Sequence, residues 1–275
     1  METVAHKAAS SPVVETLTRL GYGARGLLYG TMGVMALQVA VGARRSPTDQ
    51  QGAIAAIGRQ PGARVLLVAV LAGLICYALW GVFRAITDRH HQGHGLRGIL
   101  ERLGYLFSAA AYALLVLPTY NLIAGRSHPA KGGVQEVEIQ HSAASVMSLP
   151  LGKWLVGAVG VVVIGVGAYQ IYQGIRVTFD RLIRSSALSP RQMRWIKGMG
   201  RFGTVARGVV FVLIGIFVVL SAYHSDPSRA QGMDGALMAL LREPYGPWLS
   251  GVVAIGLLAF GLYSLMNALW FRFKK

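Results

Sequence analysis

Arg19-Leu20-Gly21-Tyr22-Gly23-Ala24-Arg25-Gly26-Leu27-Leu28-Tyr29-Gly30 is a basic, glycine-rich run that leads into a long apolar one. The pattern returns near the other end as Arg201-Phe202-Gly203-Thr204-Val205-Ala206-Arg207-Gly208-Val209-Val210-Phe211. A weaker copy, Arg102-Leu103-Gly104-Tyr105-Leu106-Phe107-Ser108-Ala109-Ala110-Ala111-Tyr112, stands between them. An internal repeat is therefore the first thing the fold has to explain.

The composition says where such a repeat belongs. Of 275 residues, 53% are hydrophobic and 14% charged, and the mean hydropathy is +0.48. A soluble domain carries charge on about 25% of its residues, so the chain reads as a membrane protein. Lys and Arg number 27 against 11 acidic residues, a net +16, which suits nucleic acid, an anionic membrane surface or the charge bias that orients membrane segments. The apolar runs favour the last two. The single cysteine, Cys76, excludes an intramolecular disulfide and reads as a small buried hydrophobe. Met1 to Thr18 is polar and mixed, without the apolar core of a cleaved signal peptide.

Six charge-free stretches, Gly26–Ala43, Val65–Phe83, Leu103–Gly125, Trp154–Ile175, Gly208–Tyr223 and Pro247–Phe271, reach or approach the ~20 residues a spanning helix needs. The first and fifth are the shortest and span only if Arg25 and Arg207 snorkel toward the headgroups. The cytoplasmic loops and termini implied by the positive-inside rule hold about 18 Lys and Arg and the alternate loops about 9. Both termini are therefore expected in the cytoplasm, and the protein in a bacterial cytoplasmic membrane. The linker from Arg176 to Arg207 is the most basic and reads as an orientation signal that hugs the headgroups.

The alternate loops repeat as well. Gly52-Ala53-Ile54-Ala55-Ala56-Ile57-Gly58-Arg59-Gln60-Pro61-Gly62 matches Gly235-Ala236-Leu237-Met238-Ala239-Leu240-Leu241-Arg242-Glu243-Pro244-Tyr245, with a looser partner in Ser142 to Gly152. Helical spacing of the apolar residues, with proline where the helix should stop, predicts a short amphipathic surface helix in each. The spans that follow echo in Gly152-x-Trp154-Leu155-x-Gly157 with Gly167-x-Tyr169, and in Gly246-x-Trp248-Leu249-x-Gly251 with Gly261-x-Tyr263. Gly73 and Tyr77 hold the matching places in the first unit.

The expected fold class is all-α: a polytopic membrane protein of six transmembrane helices in three parallel two-helix repeats, each with a surface helix between its spans. The boundaries are a cytoplasmic tail over 1–16, repeats over 17–88, 100–180 and 199–273, and a basic linker over 181–198. An even number of spans per copy leaves the copies in one orientation, arranged about a pseudo-threefold axis or in a row.

The Arg-x-Gly-x-x-Ala-Arg-Gly stretch, the surface helix ending in proline, and the Gly-x-Trp-Leu and Gly-x-Tyr spans resemble the bacterial membrane proteins built from three copies of the domain of unknown function 1206. The resemblance covers about Leu17 to Trp270. Unit two departs from it, with Ser108-Ala109 where the others have Arg-Gly. The resemblance implies fold and membrane location rather than an activity.

Chemistry is harder to find. Gly26, Gly30 and Gly33 fall on one helical face, and Gly208 and Gly215 repeat the outer pair; such faces let helix backbones approach in membrane bundles. Arg19, Arg25, Arg102, Arg201 and Arg207 are the candidates for gripping lipid phosphate at the interface, with unspecific snorkelling the plainer reading. His90, His91 and His94 beside Asp88 tempt a divalent ion, but the spacing matches no known site and glycines flank it. No histidine lies well inside an apolar run, which speaks against haem.

Gly21-x-Gly23-x-x-Gly26 follows no strand and so is no dinucleotide loop. No catalytic triad and no nucleic-acid module with stacking aromatics is evident. Neither a cofactor nor a metal nor a catalytic residue is expected, and no enzymatic activity. No charged residue is expected deep in a span; the polar ones are Gln38, Ser108, Pro118, Tyr120, Asn121, Gln170, Gln173, Ser264 and Asn267, and Pro118 predicts a break in the third span. Two readings follow: a non-enzymatic structural or interaction component whose partners are the bilayer, anionic phospholipid and a membrane-protein subunit, or a small transporter or channel for a neutral or weakly polar solute. A continuous polar cavity between the repeats favours the second, and a dry, glycine-packed centre the first.

Overall fold

A computed structural model describes residues 12–44, 49–86, 96–126, 134–176 and 189–270, and the described residues form helices and short turns without a strand. Among the described residues there are ten α-helices: α1 (Pro12–Ala40), α2 (Gln50–Ile57), α3 (Ala63–Ile86), α4 (Leu96–Leu114), α5 (Val116–Ile123), α6 (Val134–Met147), α7 (Gly152–Arg176), α8 (Pro190–His224), α9 (Met233–Arg242) and α10 (Gly246–Trp270). Five helical segments are long and apolar enough to cross a membrane by length and composition: Ala63–Phe83, Gly104–Ile123 across α4 and α5, Gly152–Arg176, Pro190–His224 and Gly246–Trp270. At 29 residues, α1 has the length at ~1.5 Å per residue. Arg19, Arg25 and Gln38 dilute its apolar character.

Local sequence explains the helix ends. The third expected span breaks at Leu115, between α4 and α5. Pro118 cannot donate a backbone hydrogen bond, and its ring crowds the carbonyl four residues earlier, that of Leu114, where α4 stops. The Thr119 hydroxyl donates to the Leu115 carbonyl at 2.6 Å and helps satisfy the turn. At α8 the Ser189 side chain accepts from the Gln192 amide and Gln192 reaches back, a capping box with Pro190 in the first turn. The second part of the basic linker is thus helical and continuous with the fifth expected span, rather than a separate surface segment.

The long helices pack in the order α4, α3, α1, α10, α8, α7, so that the first and last repeats meet at the centre of the row. The short helices meet one another too, α6 touching both α2 and α9. Each leads into the next long helix through a proline and a left-handed residue: Pro61-Gly62 (φ 74°), Pro150-Leu151 (φ 63°) and Pro244-Tyr245 (φ 65°). Only the first uses the glycine that φ favours.

Small residues set the spacing. A Cβ on Gly26 would lie 2.6 Å from Leu265 and 3.0 Å from the Gly261 carbonyl, and one on Gly33 would lie 2.7 Å from Leu258. The same relation recurs between α8 and α7, where Gly208 faces Ile171 and Gly167, and Gly215 faces Ile164 and Gly160. Between α3 and α4 the pair is Gly81 with Ala109. Gly30 differs: its own Cβ would meet open space, and its backbone instead forms the surface on which Gly261 packs, at 2.6 Å from a Cβ placed there. The core behind these contacts holds the fully buried Leu28, Tyr29, Met32, Val70, Leu74, Val210, Leu237, Leu257 and Phe260.

Candidate functional site

Arg25 lies near the midpoint of α1 and Phe260 near that of α10. The Arg25 guanidinium stands 4.1 Å from the centre of the Phe260 ring, 5.5 Å from that of Tyr77 and 5.9 Å from that of Tyr22. Its Nη1 donates to the Tyr77 hydroxyl at 2.5 Å. From α8, Arg207 approaches the same phenyl ring at 5.1 Å and also faces Phe211 at 4.7 Å and Tyr29 at 5.4 Å. Arg207 is only 7% exposed. Tyr29 meets Phe260 edge-on at 4.8 Å, and Tyr112 of α4 packs on Tyr77 at 4.4 Å.

The two arginines expected at the interface turn their guanidinium groups onto aromatic rings packed between the helices. The reason is register. Arg25 has Tyr22 three residues before it and Tyr29 four after, and Arg207 has Phe211 four after, so each guanidinium shares a helix face with aromatic rings. Cation–π attraction is worth about 0.5–2 kcal/mol per contact, more when water is excluded. That offsets only part of the cost of removing an arginine from water. Among the described residues no carboxylate pairs with Arg25 or Arg207. The Nε atoms of both, and the Tyr112 hydroxyl, are buried without a hydrogen-bond partner.

The other candidate arginines are placed differently. Arg201 is exposed and donates from Nη2 to the Ile175 carbonyl at 3.2 Å. That carbonyl is one of those left open at the end of α7, where positive charge also meets the helix dipole favourably. Arg19 and Arg102 are half-buried. The glycines Gly26, Gly33, Gly208 and Gly215 sit in the helix contacts described above, on the α1–α10 and α8–α7 sides of the arginine cluster.

Of the polar span residues, Asn267 is fully buried and donates to the Tyr263 carbonyl at 2.8 Å, and Ser264 donates to that of Phe260 at 2.8 Å. Gln38 and Tyr120 are exposed, and Ser108, Asn121, Gln170 and Gln173 are half-buried. His90, His91, His94 and Asp88 lie outside the described residues.

The short helices α2, α6 and α9 gather acidic residues that sequence reading passed over. Asp49 is 1% exposed and caps α2, accepting from the Gly52 amide at 2.6 Å. Gln51 donates to Glu138 at 2.7 Å. Asp234, on α9, is 8% exposed with one oxygen unpartnered. Burial first, then the nearby Asp49 and Glu136, push its carboxyl up to about 6. Because the folded value lies above the unfolded one, the protonated form stabilises the fold. That contribution is full below about pH 4 and is lost as pH rises through about 6. Asp234→Asn is accordingly expected to gain on the order of 1–3 kcal/mol over wild type at pH 8 and little at pH 4. Unfolding midpoints of the two proteins that kept one constant spacing across this range would remove the effect.

Comparison with known proteins gives the chain its kin. The family described as Domain of Unknown Function (DUF1206) matches three times, over residues 20–88, 103–177 and 202–270. The chain is also similar to the uncharacterized protein YxxB of Bacillus subtilis (strain 168), 33% identical over 264 residues that cover 96% of this chain and 94% of that protein. No solved structure matches.

Proposed function

The chain belongs to the DUF1206 family, with three copies of its domain, and on that premise we propose that it is a non-enzymatic integral membrane component that holds anionic phospholipid at a cytoplasmic rim. In this reading all six long elements span, α1 among them, as three parallel pairs. Both termini face the cytoplasm of a bacterial cell. The observation that carries the proposal is that Arg19, Arg102 and Arg201 occupy one place in the three domain copies, just before the small residues Gly26, Ala109 and Gly208 that bring neighbouring helices together. Arginine at such a rim grips phosphate with paired hydrogen bonds and adds about 1 kcal/mol of attraction to an anionic leaflet. The same rim suits an acidic subunit as a partner. The reading of the chain as a transporter or channel draws less support, because large apolar side chains fill the centre and Ser264 and Asn267 bond their own helix there.

Purified protein should test this in one series. Native mass spectrometry is expected to show phosphatidylglycerol retained by wild type and largely lost when Arg19, Arg102 and Arg201 are all changed to Gln. Unchanged retention sinks the lipid reading. In a Cys76→Ser background, a thiol reagent outside intact cells should modify Gln60→Cys and spare Arg191→Cys; the reverse pattern would overturn the orientation. Both positions are exposed, unlike the buried Asp49.

A further inference from the structure

We infer that Arg25, Arg207 and Tyr112 form an internal binding site for a phosphate-class oxyanion, distinct from the rim at which Arg19, Arg102 and Arg201 meet lipid. Two guanidinium groups rest against the one ring of Phe260, at 4.1 and 5.1 Å. Like charges so placed, away from bulk water, repel one another, and the rings around them answer only part of that cost. Beyond the Tyr77 hydroxyl, which accepts from Arg25, the described residues leave donors here without an acceptor. Three donors, the Nε of Arg25, the Nε of Arg207 and the Tyr112 hydroxyl, are buried and unpartnered, and Tyr112 lies within electrostatic reach of both arginines. A buried donor left unmade costs about 1–3 kcal/mol, more when it is charged.

One ligand answers all of these at once: a compact anion with several acceptor oxygens. Phosphate has the charge for two arginines and oxygens enough for three donors. A carbonyl compound or a sugar would satisfy the hydroxyl and leave the charges. A metal cation is repelled. Arg25 is half-buried where Arg207 is buried, so a ligand would enter from the Arg25 side. The chemistry is shared by free inorganic phosphate and by the phosphodiester of a lipid headgroup.

The thermal midpoint of the full chain in uncharged detergent, at constant ionic strength, separates them. Inorganic phosphate in one arm and phosphatidylglycerol in the other are the probes, with phosphatidylcholine as reference. Wild type is expected to rise with phosphate if the free ion enters, or with phosphatidylglycerol alone if a headgroup does. Arg207→Gln and Tyr112→Phe should each weaken that response about tenfold or more in apparent Kd. The triple rim variant at Arg19, Arg102 and Arg201 should lose the phosphatidylglycerol held at the rim yet keep the part of the response that Tyr112→Phe removes, so that rim and internal site fail independently. No shift of wild type with either probe, or a Tyr112→Phe response equal to wild type, overturns the inference. Tyr112→Phe carries that decision if Arg207→Gln does not fold, because it removes one oxygen and leaves the ring.

Discussion

Gly203→Val is expected to destabilise the bundle by about 3 kcal/mol or more, while Gly23→Ala, three helical turns from an N-terminus in the equivalent unit, is expected to gain up to about 1 kcal/mol. Both glycines sit in the interior of a long helix, where propensity alone favours replacing them. What differs is the neighbour. A Cβ on Gly203 would lie 2.5 Å from the Phe260 amide nitrogen and 2.6 Å from its Cα, so the obstacle is the α10 backbone, which no rotamer can move. A Cβ on Gly23 would meet only the Ala268 methyl at 4.0 Å. Because Phe260 carries both arginines, pushing α10 away also opens the internal site, and Gly203→Val should weaken any phosphate response along with the fold. Equilibrium unfolding in mixed micelles measures the two changes. Equal midpoints for the two variants would mean that α8 and α10 do not approach as closely as described.

How much of this was legible beforehand depends on which physical signal each feature leaves in the chain. The tripled Arg-x-Gly stretch and the prolines after the surface helices announce a repeated helical unit, because helix starts, stops and small faces are written in local residue types. The break in the third segment was legible for the same reason, since Pro118 acts on its own carbonyl neighbours. The capping box Ser189-x-x-Gln192 was equally local and shows that the basic linker enters a helix. The inward turn of Arg25 and Arg207 was not legible from hydropathy, which counts charges at the end of an apolar run without saying which way they face. Its trace was present in the aromatic residues four positions on, Tyr29 and Phe211. The acidic gathering of Asp49, Asp234 and Glu136 left no trace at all, because it joins the starts of three short helices far apart in sequence through the contacts of α2, α6 and α9.

Arg207→Met should raise the unfolding free energy of the phosphate-free protein by about 1–3 kcal/mol. Replacing even a paired set of buried charges by apolar side chains of similar volume is often neutral or gains about 1–4 kcal/mol; among the described residues Arg207 has no carboxylate partner to lose, and the loss of contact with Phe211, Phe260 and Tyr29 returns part of the gain. Arg207→Lys keeps the charge but loses the planar group that stacks on those rings, and is expected to lie below wild type. The decisive comparison is made twice, without and with inorganic phosphate. A ligand bound only by the folded chain at a thousand times its Kd adds about 4.1 kcal/mol, most of which the methionine variant forgoes. The stability order of wild type and Arg207→Met should therefore reverse as phosphate is added. If methionine is already the less stable form without phosphate, the arginine is a structural element held by its rings. A gain that phosphate never reverses would leave a buried charge with no anion to explain it. Only the crossing of the two curves is what a site that retains two costly cations for the sake of a ligand requires.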